Sequence, residues 1–595
     1  MNCWIVKLGQ TVFDENDFKK IKNEIGNPLA LRKKQFFEYK SEGVHYVSIS
    51  TSSELTEKKY HSIKNDSLIA YSGLLAGFDP DLDLRSADVL RTELDELTEI
   101  TQKADGQFAL IMAANNKFEC IVEPLGTYKV FYYEAPDNTV YISNQVRLIR
   151  LFKEQELNYR FYMNWICSNG NFGYMSNEKN VFLLPEFGRI EWSTLSGLKV
   201  DSYDNIEKLI NPSDRPEIFL TKSAEEWKNS GKYLVKYHAP VISLSGGFDS
   251  RVILYLFWGM GGFNLETFTY PDLTYDSVSA KKIAADMGVS HKFLKPAELP
   301  TVEQLDKFIS ENSRPFLCYS MVADYVVFDE INSVLEKLSK VKLTGTGGDT
   351  DLGLRKYKSA IANSIDESIK NLARSFIKSE FLRVEYQQEL YNEIQDYYHN
   401  KYAGLLTGDD SANKLLPIYY HFERFRAYQS YKLINNNFVS DNHVIYGNVN
   451  FLKFVFATDI GNLYRHKKEC VHHQYVKAFS GNGAAHIPFS KSVYWDANKF
   501  ERIKFRLKRK HLDKYREKLF GPRLKFFEKI RRDFYEKNVD HFREVVHSNT
   551  SSRLWDFLDR DAILKCVNSD ASSIEKKRRI VLRIVPMLKD EMGDL

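Results

Sequence analysis

Cysteine is scarce in this chain: six in 595 residues, at positions 3, 120, 167, 318, 470 and 566. No two form a Cys-x-x-Cys pair, which argues against a zinc ribbon and against a disulfide framework. The one Cys/His cluster, Cys470-Val471-His472-His473, lacks metal-ligand spacing and reads as a helical segment without a metal. No apolar run approaches the roughly eighteen residues of a membrane span. Met1-Asn2-Cys3-Trp4 opens no charged-plus-apolar leader, so the expectation is a soluble cytoplasmic protein without a membrane partner. Charge of one sign is also lacking. With 83 basic and 79 acidic residues the net charge is +4, a weak field for steering any partner, and nucleic acid is disfavoured. Neither GxxxxGK[ST] nor a strand followed by GxGxxG occurs, which excludes the P-loop and the dinucleotide fingerprint.

What is present is 43% hydrophobic residues, enough for a large core, and a length suited to about two to four domains. Residues 1–205 read as strand-rich. VHYVSIST, FALIMAA, KFECIVEP and TVYISN are short and β-branched or aromatic, with polar turns at Asn115-Asn116 and Asp137-Asn138. They predict a layered β or α+β domain. Residues 206–235 predict a linker leading into a helix. From 239 strands and helices alternate. Strands fall at Val241–Leu244, LETFTY, HKFL and VKLTG; helices fall at Arg251–Trp258, Ser277–Met287 with Gly288 as its cap, and TVEQLDKFISEN with a near capping box. This alternation predicts a doubly wound parallel sheet with helices on both faces. After about 356 the chain reads as helical. Residues 501–537 are basic with interleaved aromatics. They suit either a surface for an anionic partner or solvated helices, and the admixed acidic residues favour the second.

The stretch VISLSGGFDS, 241–250, runs a strand into two glycines, two hydroxyls and a carboxylate. Ligands of α/β sheets sit at the carboxyl ends of strands, and a helix N-terminus there presents free N–H groups to phosphate. Gly246 and Gly247 let the backbone approach an oxygen, with Leu244 leading in; Ser245 and Ser250 add hydroxyl donors. Asp249 would repel phosphate, and makes sense if it binds Mg²⁺.

SGG-x-DS after an apolar strand resembles the pyrophosphate loop of the N-type ATP pyrophosphatases. LTGTGGDTDLG, 343–353, resembles the G-x-G-[SG]-D signature of their asparagine synthetase-like branch. The resemblance implies that Gly345 lies against ATP and that Asp349 is a second Mg²⁺ carboxylate beside Asp249. Phe268, Thr269 and Tyr270 would line the adenine pocket, while Asp276 and His291 hold positions open to a structural or a functional role. The branch places a late lysine against developing charge; Lys491 is the candidate, with Lys467 and Lys468 as rivals. In the front half, GQFALIMAANNKFECIVEPLGTYKVFYYE and VFLLPEFGRIEW resemble a class II glutamine amidotransferase domain of Ntn-hydrolase type. The resemblance divides the chain into that domain, 1–205, and a synthetase domain, 206–595, whose basic helical end starts near 500.

Two departures shape the functional expectation. A glutaminase of this class uses an N-terminal cysteine whose own α-amine is its base, but here Cys3 follows Met1-Asn2, and IAYSGLLAGFDPD stands where the Asn-Gly-Glu signature belongs. The front half is therefore expected to be an inactive glutaminase. Thr346 replaces the Glu of asparagine synthetases and the Tyr of β-lactam synthetases, so another acceptor is expected. The reading is an ATP- and Mg²⁺-dependent ligase. It would adenylate a small-molecule, glycan or peptide carboxylate and pass it to ammonia or an amine, within a pathway such as surface polysaccharide or natural-product synthesis. Ammonia-dependent asparagine synthesis and a non-catalytic nucleotide-sensing scaffold are the alternatives; a homodimer is admitted.

Overall fold

Alternation along the first strand sets the architecture of the front half. A computed structural model describes residues 2–26, 34–51, 60–93, 97–114, 116–168, 173–261, 264–270, 275–311, 318–336, 340–348, 362, 364–377, 381–406, 411–430, 441–458, 470–480, 500, 503–504, 507, 526–568 and 575–591. In β1 (Asn2–Leu8), Trp4, Val6 and Leu8 enter one core while Cys3 and Ile5 enter another, because successive side chains of a strand point to opposite faces. The remaining front strands are β2 (Lys34–Ser41), β3 (Val44–Thr51), β4 (His61–Lys64), β5 (Ser67–Gly77), β6 (Ala104–Ala114), β7 (Lys117–Val122), β8 (Phe131–Glu134), β9 (Val140–Ser143), β10 (Phe182–Leu183), β11 (Gly188–Ser193) and β12 (Gly197–Ser202). They form two six-stranded sheets, ordered β10-β8-β9-β1-β3-β2 and β12-β11-β7-β6-β5-β4. Trp4, Val6 and Tyr46 from the first pack on Ala109, Ile111 and Ile190 from the second. This is the layered antiparallel arrangement expected of the front half. Asn116 and Asn138 take positive φ, 66° and 64°, where their turns reverse the chain.

The back half changes to parallel pairing. Strands β13 (Ala239–Ser243), β14 (Glu266–Thr269), β15 (Ser290–Phe293), β16 (Lys340–Leu343) and β17 (Asn442–His443) run in the order β15-β14-β13-β16-β17, all parallel. Both faces are covered. Val241 packs on Val326, Val327 and Leu335 of the helix Val322–Glu336, while Ile242 joins the core of the helix Phe248–Met260 on the other side. The helix Val302–Glu311 carries the capping box: the Thr301 amide donates to Gln304 Oε1 at 2.9 Å, and the Gln304 amide donates to Thr301 Oγ1 at 3.2 Å. Gly288, at φ 65°, follows the helix Tyr275–Asp286.

Two elements differ from expectation. The helix that follows β13 begins at Phe248 rather than Arg251, with Gly247 as its N-cap, so the motif's Asp and Ser lie inside its first turn. The fifth strand, β17, was not foreseen; two residues carry no periodicity, and the sheet recruits them through pairing with β16.

Helices Phe526–Ser548, Arg560–Asn568 and Glu575–Glu591 end the chain. Of the basic stretch 501–537, the segment 526–537 is knit inward, whereas Ile503 and Leu507 are exposed. Arg531 donates to the Ser320 carbonyl at 3.0 Å, and Glu528 and Glu536 pair with Arg579 and Arg578 at 3.8 and 3.3 Å. Among the described residues no helix is long and apolar enough to cross a membrane.

Candidate functional site

The strand order puts one place apart. Helical crossovers carry the chain from β13 outward to β15, then back past β13 to β16, so β13 and β16 are neighbours from which the topology departs in opposite directions. A crevice opens at such a switch point, beyond the carboxyl ends of the two strands. The segments that leave these ends are Leu244–Phe248 and Thr344–Gly348.

The first segment is organised by its own hydroxyls. The Ser245 amide donates to Ser250 Oγ at 3.0 Å, the two hydroxyl oxygens stand 3.1 Å apart, and the Gly247 amide donates to Ser245 Oγ at 3.1 Å. Glycine at the N-cap supplies no side-chain acceptor to the first helical turn, and the N-terminal end of a helix dipole favours an anion. Ser245 is exposed and Gly247 and Asp249 are half-buried, so the turn is accessible. Arg251 is buried behind it, with one guanidinium nitrogen 3.4 Å from the Gly246 carbonyl. Burial lowers its pKa to about 10.

The second segment lies against the first. A Cβ placed on Gly345 would stand 2.8 Å from Asp249 Cβ and 2.9 Å from the Ser250 nitrogen; one on Gly348 would stand 2.7 Å from Asp249 Oδ1. Only glycine fits this approach. Gly347 also takes φ 91°, a left-handed conformation that a β-carbon disfavours. Thr346 faces its own loop, its hydroxyl 2.8 Å from that of Thr344.

Two residues missed in the sequence hold Asp249. His472 Nε2 is 2.7 Å from Asp249 Oδ1, and the Tyr446 hydroxyl donates to the Asp249 carbonyl at 2.8 Å. His472 is buried near the start of the helix Val471–Ser480, its ring stacked 5.9 Å from that of Phe248. The spacing of Cys470-Val471-His472-His473 carries no metal signature, and His472 acts instead by holding a carboxylate distant in sequence. Tyr446 follows β17, which carried no local signal.

The other predicted residues are placed as follows. Leu244 is core, its amide donating to the Phe268 carbonyl at 2.8 Å. Thr269 ends β14 at the same edge, with Tyr270 next and half-buried. Phe268 lies in the core with Val241 and Val326. His291 is tied to β14, its Nδ1 2.7 Å from Thr267 Oγ1, and burial lowers its pKa to about 4. Asp349, Lys491, Lys467 and Lys468, and the side chain of Asp276, lie outside the described residues.

Among the described residues no group of three His, Cys, Asp or Glu side chains is placed to hold a metal. Mg²⁺ asks less: one or two carboxylates, with substrate phosphates and waters completing the shell. Asp249, at a turn that suits phosphate, fits that demand.

In the front half, Cys3 pairs with Ile49 in mid-sheet and is 1% exposed. Burial pushes its thiol up to about 11. The Tyr128 hydroxyl meets Ser72 Oγ and accepts from Asn144 Nδ2, all three buried. Ser72 comes from the segment where the Asn-Gly-Glu signature was sought. The halves are joined by buried charge: Glu186 of the front half lies 2.9 Å from Lys401 and 3.6 Å from Arg426, and Lys129 donates to the Arg426 carbonyl.

The asparagine synthase family model matches residues 238–452, the segment that contains both glycine loops. Solved structures similar to the chain include the glutamine phosphoribosylpyrophosphate amidotransferase from B. subtilis complexed with ADP and GMP. It is 10% identical, with 58% of this chain and 82% of that chain covered and a TM-score of 0.25. Another is the allosteric regulatory enzyme of purine biosynthesis, 9% identical, with 58% and 74% covered and a TM-score of 0.24. No curated protein matches the chain.

Proposed function

We propose that this chain, whose residues 238–452 form an asparagine synthase domain, is a ligase that adenylates a carboxylate and passes the acyl group to ammonia or an amine. The domain supports an ATP-dependent amide-forming ligase. The observation that carries the finer reading is the contact of the two glycine loops at the carboxyl ends of β13 and β16. The contact leaves no room for a side chain at Gly345 or Gly348 and so holds the two loops together where the strands end.

In this reading the Ser245–Ser250 turn binds the β- and γ-phosphates of ATP, and Thr269, Tyr270 and Gly345 border the nucleotide. Asp249 and Asp349 hold Mg²⁺, which when bound offsets the phosphate charge. His472 holds Asp249 Oδ1 at 2.7 Å and so fixes the carboxylate that would ligate the ion. A substrate carboxylate oxygen attacks the α-phosphorus; the bond to the bridging oxygen breaks and pyrophosphate leaves on the loop's N–H groups. Lys491 is the candidate to steady the charge that develops. The nitrogen nucleophile then attacks the acyl carbon, AMP departs with the C–O electron pair, and the nitrogen loses a proton.

The front half, 1–205, serves as a scaffold on which the synthetase half, 206–595, is braced. A buried thiol held near 11 yields almost no thiolate at neutral pH, and the polar groups of Ser72, Tyr128 and Asn144 are buried and bonded to one another. The acceptor is then a carboxylate of a biosynthetic pathway, in a sugar, peptide or amino acid, and the nitrogen comes from outside the chain. Carboxylate-dependent exchange of labelled pyrophosphate into ATP tests this. Exchange with aspartate alone would mean asparagine synthesis. Exchange with no member of an acidic-sugar, peptide and β-amino-acid panel, together with no nucleotide binding, would mean a scaffold.

A further inference from the structure

A cavity of about 650 Å³ lies between the two halves. One wall comes from β6 and the turn after β7, the other from the helix Pro216–Tyr237 and the segment 444–453. The lining cations are already engaged: Arg189 pairs with Glu119 and Glu191 at 2.9 and 2.6 Å, Lys208 with Asp204 at 3.5 Å, and Lys453 lies over the Phe219 ring. The acids are less well served. Asp105 is 6% exposed; Oδ1 accepts from the Gly106 amide at 2.8 Å, but Oδ2 has no hydrogen bond among the described residues. His443 Nε2 stands 3.7 Å away, on an imidazole that burial lowers to about 3 and so keeps neutral. Among the described residues, Glu226, on the opposite wall, accepts from the neutral amides of Asn448 and Asn450, at 2.9 and 2.7 Å, and Lys222 and Lys453 reach it only through their fields. Burial, with repulsion from Glu226 and Glu123, lifts the Asp105 carboxyl well above its usual range. A carboxylate in that state gains from a cation that brings its own donors.

We propose that this cavity binds an organic amine in its cationic form and docks the nitrogen substrate of the ligase. The occupant has a carbon skeleton. An ammonium ion needs about the 30 Å³ of a water molecule, and the cavity is far larger, with Phe108, Phe187 and Tyr203 along it to receive apolar atoms. The segment over the cavity also touches the nucleotide turn. Val444 and Gly447 line the cavity, while Tyr446 between them donates to the Asp249 carbonyl at 2.8 Å. Occupancy is thereby reported to the loop that binds ATP.

This proposal rests on the ligase reading, and its test separates the two. The full chain is titrated calorimetrically with butylamine, ammonium chloride and pentanoate, and separately with magnesium α,β-methylene-ATP. The proteins are the parent, Asp105→Asn and Glu226→Gln. The expected result is saturable butylamine binding, with ammonium weaker by about tenfold or more and no pentanoate binding; each isosteric variant should lose about tenfold in butylamine affinity, or about 1.4 kcal/mol, and keep its nucleotide affinity. Absence of butylamine binding by the parent, or equal affinity in parent and both variants, overturns the cavity proposal and leaves the ligase reading standing. Butylamine binding without any nucleotide binding upholds the cavity as an amine site and overturns the ligase reading.

Discussion

Replacing Gly345 by alanine tests whether the two glycine loops must touch. The new Cβ would stand 2.8 Å from Asp249 Cβ, 2.9 Å from the Ser250 nitrogen and 3.1 Å from the Asp249 carbonyl carbon. Ordinary contacts between carbon atoms lie near 3.5–4.0 Å, so the loops must part by about half an ångström or more. Two of the three opposing atoms are backbone of a helical first turn, and no rotamer change relieves them. Overpacking of this kind costs about 1–3 kcal/mol, which at 1.4 kcal/mol per decade is about 5- to 150-fold in affinity. The loss should appear as weaker binding of magnesium α,β-methylene-ATP by calorimetry. Gly404→Ala is the control, because its Cβ would meet nothing within 4 Å and its φ of −69° suits alanine. If Gly345→Ala binds nucleotide as tightly as Gly404→Ala, the contact of the loops does not build the site and the reasoning fails.

Three further outcomes follow from the same contacts. His472→Ala should lower kcat/KM for ATP by about 10- to 150-fold, the 1.5–3 kcal/mol of a hydrogen bond to a charged group, and raise the Mg²⁺ concentration needed for half-maximal rate; an unchanged Mg²⁺ requirement would show that His472 does not orient Asp249. Iodoacetamide at pH 8 should leave Cys3 unlabelled in the folded chain, since burial holds its thiol near 11. Cys3→Ala should keep the carboxylate-dependent pyrophosphate exchange of the parent, and rapid labelling with glutamine hydrolysis would restore a working glutaminase. Glu186 is the pH-dependent brace. Burial raises its pKa, but Lys401 and Arg426 outweigh burial and hold it below the usual carboxylate range. Its contribution is therefore complete above the unfolded value of about 4.3 and is lost as pH falls through the lower folded value. Glu186→Gln, which removes the nearer of the two carboxylates, Glu186 and Glu423, that face Lys401 and Arg426, should cost about 3 kcal/mol near pH 7, the low end for a broken buried pair, and the gap from the parent should close below about pH 4 in denaturant titrations.

The sequence made legible whatever local chemistry determines. Strands β3, β6, β7 and β9 declared themselves through β-branched runs between Asn-containing turns. Thr301 and Gln304 announced a helix start, and the two glycine loops stood out because few residues tolerate such closeness. Pairing partners did not show. Asn442-His443 is a strand only because β16 offers it an edge, and Tyr446 comes into play as a consequence. His472 looked like half of a failed metal site because its partner, Asp249, is remote in sequence and reaches it only through the packing of the helices Val471–Ser480 and Phe248–Met260. The acidic cavity was invisible for the same reason, since Asp105 and Glu226 come from different halves of the chain.

The central claim is that Asp249, in the turn between β13 and its helix, holds the metal-bound phosphates of ATP. Calorimetric titration of the parent and of Asp249→Ala with magnesium α,β-methylene-ATP, which cannot be cleaved between its first two phosphates, tests it most directly. The account predicts saturable one-to-one binding by the parent and affinity lower by about tenfold or more in a variant that melts like the parent. Equal binding by both proteins, or none by either, would contradict it.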